Sequence, residues 1–410
     1  MHSEIQIEGL RPDHLGCGEI RVFITMLYKL QCQGVEYTYD PNRNRILDGH
    51  GRKVRRLDRE SVDAEMPSGD LIFVELTRAC NLMCSYCYLG AAQTNSPVEA
   101  SNDHKFVSIT KKLNELLRGR KEATIAFYGG EPLLEFDLLR RIVEFCDRMM
   151  VNEGYRLTYG IVTNGTLLDD RTVSYLIDRH FLVVISLDGD PETMLLNRNV
   201  RDVDRIEAAI QIFADRGLHA DVLATMQQAN AAAFRKNIRY LLHLPIKSVK
   251  FIACDSPCAS KTLHAAQAKD FCAAYEEIVS ELLAEKKFEE LRKLSELIAV
   301  VRKIDYGKAI ASHCGYGSKV LAVSQDGEIY PCPSFLGNTD YRISEGVVKY
   351  PPHDLRKCGD CIAHSTCRGS CHYTNYVASA CADGGKEAKC IIARRMTKLA
   401  LQTYLELYIR

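Results

Sequence analysis

Between Leu71 and Cys254, short apolar runs alternate with amphipathic stretches about six times, and this alternation constrains the fold of the 410-residue chain more than any other feature. The runs are LIFVEL (71–76), ATIAFYGG (123–130), LTYGIVTNG (157–165), FLVVISLDG (181–189), HADVLATM (219–226) and SVKFIAC (248–254). The stretches between them, such as DHKFVSITKKLNELLRG and DRIEAAIQIFADRG, repeat apolar residues at helical spacing. Parallel strands need crossover connections and antiparallel ones do not, so strand–helix alternation predicts a parallel α/β sheet, open or closed into a barrel. In a parallel barrel the chemistry sits at the C-terminal ends of the strands. Four successive run ends carry polar or glycine-rich loops there: Cys80–Cys87, Gly129–Pro132, Thr163–Gly165 and Ser186–Gly189.

Cysteine is the compositional outlier, at 17 residues with no tryptophan. The first residues, MHSEIQIEGLRPDHLG, lack a basic segment followed by an apolar one, so no signal peptide is expected. No apolar run approaches the roughly 20 residues that span a bilayer. The expected location is therefore cytoplasmic, where clustered thiols point to metal or redox chemistry rather than disulfides. A formal net charge of zero argues against a nucleic-acid or anionic-membrane partner. Three cysteines lie at 80–87 and eight between Cys314 and Cys390. The remaining six, Cys17, Cys32, Cys146, Cys254, Cys258 and Cys272, read as small buried hydrophobes.

Cys80, Cys84 and Cys87 form the pattern C-x3-C-x2-C. Structural zinc takes four ligands, usually as two close pairs. Three thiolates in one tight loop suit instead a 4Fe–4S cluster with one iron left open to a small molecule. Together with Tyr86 before the last cysteine, and with the GGEP, TNG and SLDG strand ends, the loop resembles the radical S-adenosylmethionine (radical SAM) superfamily over roughly residues 70–255. The resemblance implies a partial (β/α)6 TIM-like barrel. It also implies that Cys80, Cys84 and Cys87 hold the cluster and that Gly129, Gly130, Glu131 and Pro132 hold the methionyl amine. Thr163 and Asn164 match the third strand end, Ser186 matches a ribose contact, and Arg198 matches a basic position near the carboxylate. The match at Arg198 is looser, because Met194-Leu195-Leu196 stands where the family often has His-Asp. Such enzymes cleave S-adenosylmethionine with one electron to a 5′-deoxyadenosyl radical, which takes a hydrogen atom from an unactivated C–H.

The downstream cysteines resemble the SPASM extension of radical enzymes that act on peptides. That likeness implies two auxiliary iron–sulfur clusters, one on Cys314, Cys332 and Cys371 and one on Cys358, Cys361, Cys367 and a late cysteine. Cys390, which precedes a helix, is favoured over Cys381. The first set lacks a fourth thiol six residues after Cys314, where Val320 stands; Cys254, Cys258, an N-terminal cysteine, water or a substrate thiolate would complete it. A zinc site on C-x2-C-x5-C-x3-C is the competing reading.

The expected organisation is an N-terminal extension (1–68), the barrel (69–260), a helical linker (261–311) and the cysteine-rich region with its terminal helix (312–410). In the extension, VEYTYDPNRNRILD reads as a hairpin. It is either a reduced leader-peptide-binding module or a cap on the barrel. The stretch 264–304 reads as one long helix or two with a solvated charged face. KVLAVSQDGEIYPC reads as a hairpin turning at Gln325-Asp326-Gly327.

Relatives that make formylglycine in sulfatases carry an acid after the cysteine of YPC, where this chain has Pro333 and Ser334. The segment DGEIYPCPSFLGN is similar to maturases that join a cysteine sulfur to carbon in a ribosomally made peptide. The resemblance therefore implies a thioether-forming peptide maturase, with a precursor peptide and a flavodoxin or ferredoxin-type donor as partners. Formylglycine formation, carbon–carbon cross-linking and a non-catalytic electron-transfer protein are the alternatives.

Overall fold

The computed structural model describes residues 7–10, 27–32, 35–54, 70–89, 100–256, 261–307, 314–352, 358–380 and 385–408. Cys17, Cys258, Cys381, the first six residues and most of the 51–70 segment lie outside them.

Four N-terminal strands form an antiparallel sheet in chain order: β1 (Ile7–Leu10), β2 (Leu27–Cys32), β3 (Val35–Asp40) and β4 (Arg45–Leu47). The hairpin expected at 35–48 is β3–β4, paired from Asp40↔Arg45 to Thr38↔Leu47. Asp40 fixes its turn by accepting from the amides of Asn42 and Arg43, both at 3.1 Å.

The alternating segment forms six parallel strands in sequential order: β5 (Asp70–Thr77), β6 (Glu122–Gly129), β7 (Arg156–Thr163), β8 (Leu182–Ser186), β9 (Asp221–Met226) and β10 (Ser248–Ala253). The crossovers are α1 (Asn102–Leu117), α2 (Phe136–Glu153), α3 (Asp170–Asp178), α4 (Pro191–Arg198), α5 (Asp204–Asp215) and α6 (Phe234–His243). Strand β6 is buried along nearly its whole length, as a strand covered on both faces must be. The sequence pattern passes over α4, which is short and carries little periodicity. Its signals are Asp190 at the N-cap, accepting from the Thr193 amide at 2.9 Å, and Pro191 in the first turn. Asn199, in the left-handed conformation, ends it.

A half-barrel has two exposed edges, each a row of unpaired backbone groups. The C-terminal half of the chain covers both. Strand β11 (Val320–Val323) pairs in parallel with β5, from Val320↔Leu71 to Val323↔Val74. It turns back through β12 (Ile329–Tyr330), so the expected hairpin exists and also extends the barrel sheet to eight strands. On the far edge, Ser295 Oγ donates to the Val249 carbonyl at 2.9 Å and Glu296 accepts from the Phe251 amide.

The stretch read as one or two helices is three: α7 (Ala265–Ala284), α8 (Phe288–Lys293) and α9 (Ser295–Tyr306). Its charges are largely solvated, but the opposite face buries Phe271, Tyr275, Ile278, Leu297 and Val301 in the main core. This segment is thus part of the body rather than a tether. The chain continues through α10 (His364–Cys367) and α11 (His372–Ala380) and ends in α12 (Lys386–Tyr408). Core residues from the N-terminal sheet (Leu30, Tyr39, Ile46), the barrel and α12 (Leu401, Tyr404) form one cluster. A smaller aromatic core, Tyr316, Tyr330, Phe335 and Tyr341, surrounds Cys332.

Candidate active site at the barrel mouth

Strand β5 ends at Thr77, and three residues later the chain reaches Cys80. The end of β6 steers that loop. The Gly130 amide donates to the Thr77 carbonyl at 2.8 Å and the Glu131 amide to the Ala79 carbonyl at 2.9 Å. A Cβ on Gly130 would overlap the Ala79 carbonyl oxygen, and one on Gly129, whose φ is +139°, would overlap that of Thr77. Both glycines are therefore dictated by close approach to the backbone leading into the cysteines.

Glu131 is fully buried. Oε1 accepts from Thr163 Oγ1 at 2.7 Å and the Leu133 amide at 3.0 Å, and Oε2 accepts from the Asn164 amide at 2.7 Å. Burial pushes its carboxyl up to about 7, against these bonds. It thus ties β6 to the end of β7. Asn164 extends the tie, donating to Asn81 Oδ1 at 2.9 Å and facing Cys80 Sγ at 3.9 Å.

The residue that organises the other side is Asp188, which the motif reading passed over in favour of its neighbour Ser186. Its Oδ1 accepts from Arg198 Nη2 at 2.9 Å and the Thr225 amide at 2.8 Å. Its Oδ2 accepts from Tyr86 Oη at 2.6 Å and Asn197 Nδ2 at 3.0 Å. Gln227 continues the network to Asn197 Oδ1 (2.6 Å) and Ser85 Oγ (3.0 Å), and the Ser85 amide donates to the Asn197 carbonyl at 2.9 Å. The signal available in the sequence was an aspartate followed by glycine, two residues beyond a strand end. Ser186 itself sits half-buried at the end of β8.

Arg198 is buried in its ion pair with Asp188, its guanidinium 5.4 Å from the centre of the Tyr86 ring and its Nη1 3.9 Å from Cys84 Sγ. Its Nε, also buried, has no acceptor among the described residues. Burial pushes the Cys84 thiol up to about 11 against the pull of Arg198, and Cys87 and Cys80 add to the rise. Thiols that oppose one another's ionisation form a set that a cationic centre would complete.

The downstream cysteines gather in two further sets. Burial pushes Cys332 up to about 12, with Cys371 and Cys314 adding to it. Burial likewise raises Cys367, with Cys390 and Cys361 adding. The favoured late cysteine, Cys390, therefore lies near Cys361 and Cys367. Cys358 opens the same loop, its carbonyl accepting from the Cys361 amide at 3.2 Å. Cys254 is buried at the end of β10, as are Cys32, Cys146 and Cys272 in their own surroundings. All the described cysteines are free thiols.

Among the described residues, no three His, Cys, Asp or Glu side chains converge tightly enough to hold a single metal ion. An iron–sulfur cluster asks for something looser, since its thiolate ligands bind separate irons. The thiol-only sets and the orphaned Arg198 Nε fit a cluster with a carboxylate-bearing cofactor beside it.

Two features lie outside the sequence motifs. Asp255, just past β10, accepts from Thr374 Oγ1 at 3.1 Å and pairs with Lys389, which also donates to Thr374 at 2.8 Å. It clasps the barrel to the segments that follow Cys371 and precede Cys390. Between Cys87 and Cys332, the hydroxyls of Tyr88 and Tyr128 meet, and the Tyr88 ring lies 5.8 Å from that of Tyr373.

Residues 74–241 match the family model described as the radical SAM superfamily. This part of the chain is a radical SAM domain, of a family that uses a 4Fe–4S cluster and S-adenosylmethionine. Among curated proteins, it is 24% identical over 335 residues to the cysteine-type anaerobic sulfatase-maturating enzyme of Clostridium perfringens strain 13, covering 75% of this chain and 89% of that one. Among solved structures, native anSMEcpe with bound AdoMet shares the fold at a TM-score of 0.67 and 19% identity, covering 82% of this chain and 98% of that one. Streptococcus suis SuiB aligns at a TM-score of 0.51 and 16% identity over 74% of this chain and 73% of its own. No described helix is long and apolar enough to cross a membrane.

Proposed function

We propose that the protein is a peptide-modifying radical enzyme that forms a thioether between a cysteine sulfur and a carbon of a ribosomally made precursor. The observation that carries this reading is the adjacency of the barrel-mouth loop to the Cys314–Cys332–Cys371 set, bridged by Tyr88, Tyr128 and Tyr373. The named maturase relatives support a peptide as substrate.

In this reading Cys80, Cys84 and Cys87 hold the 4Fe–4S cluster, and the backbone around Gly130 and Glu131 faces the amine of S-adenosylmethionine. Ser186 faces the ribose, and Arg198 offers Nε to the carboxylate while Asp188 holds its Nη2. Thr163 and Asn164 keep Glu131 and Asn81 in place. When bound, the reduced cluster and S-adenosylmethionine supply the 5′-deoxyadenosyl radical that removes a hydrogen atom from the peptide. The thiol loses a proton, the S–C bond forms, and one electron leaves to an auxiliary acceptor. Cys314, Cys332 and Cys371 would hold one auxiliary cluster, and Cys358, Cys361, Cys367 and Cys390 the other. A flavodoxin or ferredoxin-type protein supplies the cleaving electron, and the cytoplasm is the compartment that suits such thiols.

A second reading, formylglycine formation, is favoured by the Clostridium relative. Against it, the residues after Cys332 are Pro333 and Ser334, in a short 3-10 turn with no carboxylate.

The test is anaerobic incubation of reconstituted enzyme with S-adenosylmethionine, reductant, and peptides from two sources: short cysteine-rich reading frames beside the gene, and a sulfatase maturation segment. A product lacking two hydrogens and one alkylatable thiol is expected. An aldehyde replaces this proposal with the second reading. A two-hydrogen loss with every thiol still alkylatable points to a carbon–carbon link and refutes the thioether.

A further inference from the structure

The N-terminal sheet packs against the downstream cysteine-bearing loop 358–367. Tyr28 Oη donates to the Asp360 carbonyl at 2.7 Å, between Cys358 and Cys361. Ser365 Oγ, two residues before Cys367, donates to the Pro41 carbonyl in the β3–β4 turn. Asn44 Nδ2 donates to the Lys303 carbonyl at 2.6 Å, and Lys303 Nζ in turn donates to the Thr366 carbonyl at 3.1 Å. Tyr39, fully buried, braces this contact by donating to Asn44 Oδ1 at 2.8 Å.

Two of these bonds end on carbonyls of a single loop, 358–367, and a third starts from its Ser365 hydroxyl. That loop is short on regular structure: α10 contributes four residues and the rest is turns. Its carbonyls would otherwise need water. Leu30, Tyr39 and Ile46 belong to the main core, so the sheet is seated by apolar burial as well as by polar contacts.

We propose that strands β2–β4 cap the second auxiliary cysteine set, fixing the Cys358–Cys367 loop and keeping solvent and oxygen from the cluster it holds. This rests on the reading of Cys358, Cys361, Cys367 and Cys390 as a cluster site. The sheet is then part of the redox apparatus and not merely a docking module for a peptide leader.

The test uses the full chain with Cys80, Cys84 and Cys87 changed to Ala, so that only the downstream sets carry iron. Iron and sulfide are counted after anaerobic loading, and iron release is followed on exposure to air. With two downstream clusters the chain carries about eight irons. Adding Tyr28→Phe and Ser365→Ala is expected to leave loading intact and to speed the loss of about half the iron. Each lost bond should quicken that phase about fivefold. Lys29→Ala, which removes the exposed Lys29–Glu36 pair of the same sheet, should change nothing. Release of both halves at the parent rate overturns the cap. If the parent chain loads no iron, the cluster reading itself fails. If it loads about four irons, Cys358→Ala tells which set carries them: unchanged loading sinks the cluster reading at the second set.

Discussion

Cys84 at the barrel mouth stands among charges and amides: Arg198 faces it, Asp188 holds Arg198, and Ser85 and Tyr86 beside it are bonded to the ends of two strands and to α4. Cys332 stands among rings. Tyr316 and Phe335 pack 5.6 Å apart, Phe335 and Tyr341 4.4 Å, and Tyr373 and Tyr376 close the shell at 5.4 Å from Phe335. The contrast follows function as proposed. A site that must receive a zwitterionic cofactor keeps donors and acceptors ready, whereas a site that only passes an electron is served by a dry, rigid wall.

The largest test of this division removes the ligands. Cys80→Ala, Cys84→Ala and Cys87→Ala together should abolish 5′-deoxyadenosine formation while leaving the iron of the downstream sets in place. Chromatographic assay and iron counting check the two halves of that statement. Loss of all iron would mean that the regions are not separate.

Asp188→Ala should come next. It strands the buried Arg198 charge and three further donors, at a cost of about 3–5 kcal/mol. Calorimetric unfolding should show a lowered midpoint, and S-adenosylmethionine binding should weaken with it. The counterpart on the other side is Asp255→Asn, which breaks the clasp with Lys389. Its cost should be smaller, about 2 kcal/mol, because both partners keep some contact with solvent. Peptide product should fall while 5′-deoxyadenosine formation persists; equal loss of both would merge the two regions.

The smallest effect concerns pH. Glu131 is raised from 4.5 to about 7, so the folded chain holds a proton there that the unfolded chain has released. Its contribution is fully present below about 4.5, is lost as pH rises to about 7, and is level above that. Thermal midpoints measured across this window should slope downward in the parent and less so in Glu131→Gln. Parallel curves would show that Glu131 does not titrate there.

Much of the barrel was legible because each strand and each crossover carries its own period, and because glycines and acids mark the strand ends. Gly129 and Gly130 could be read as a motif, but their reason, contact with Thr77 and Ala79, required the neighbouring strand. Asp188 hid behind Ser186 for a similar cause. Its importance lies in donors drawn from Tyr86, Arg198 and Thr225, which lie far apart in the chain. The cysteines could be sorted into sets only through their resemblance to the SPASM extension, because members such as Cys332 and Cys371 lie far apart in the chain. The β5–β11 pairing could not be read, since a parallel partner carries no turn to announce it. The position of the N-terminal sheet was equally silent, because its contacts end on backbone carbonyls.

That β5–β11 pairing has a bearing on how the protein comes into being. Glu75 and Gln325, joined across it, are 250 residues apart. At ribosomal speeds of about 5–20 residues per second, the first barrel strand waits tens of seconds for its outer neighbour to be synthesised. During that time its edge is bare and the loop carrying Cys80 hangs beside it. The newborn chain therefore passes through a stage in which the radical-generating end is assembled on an open sheet, and it is the arrival of the last hundred residues that closes it.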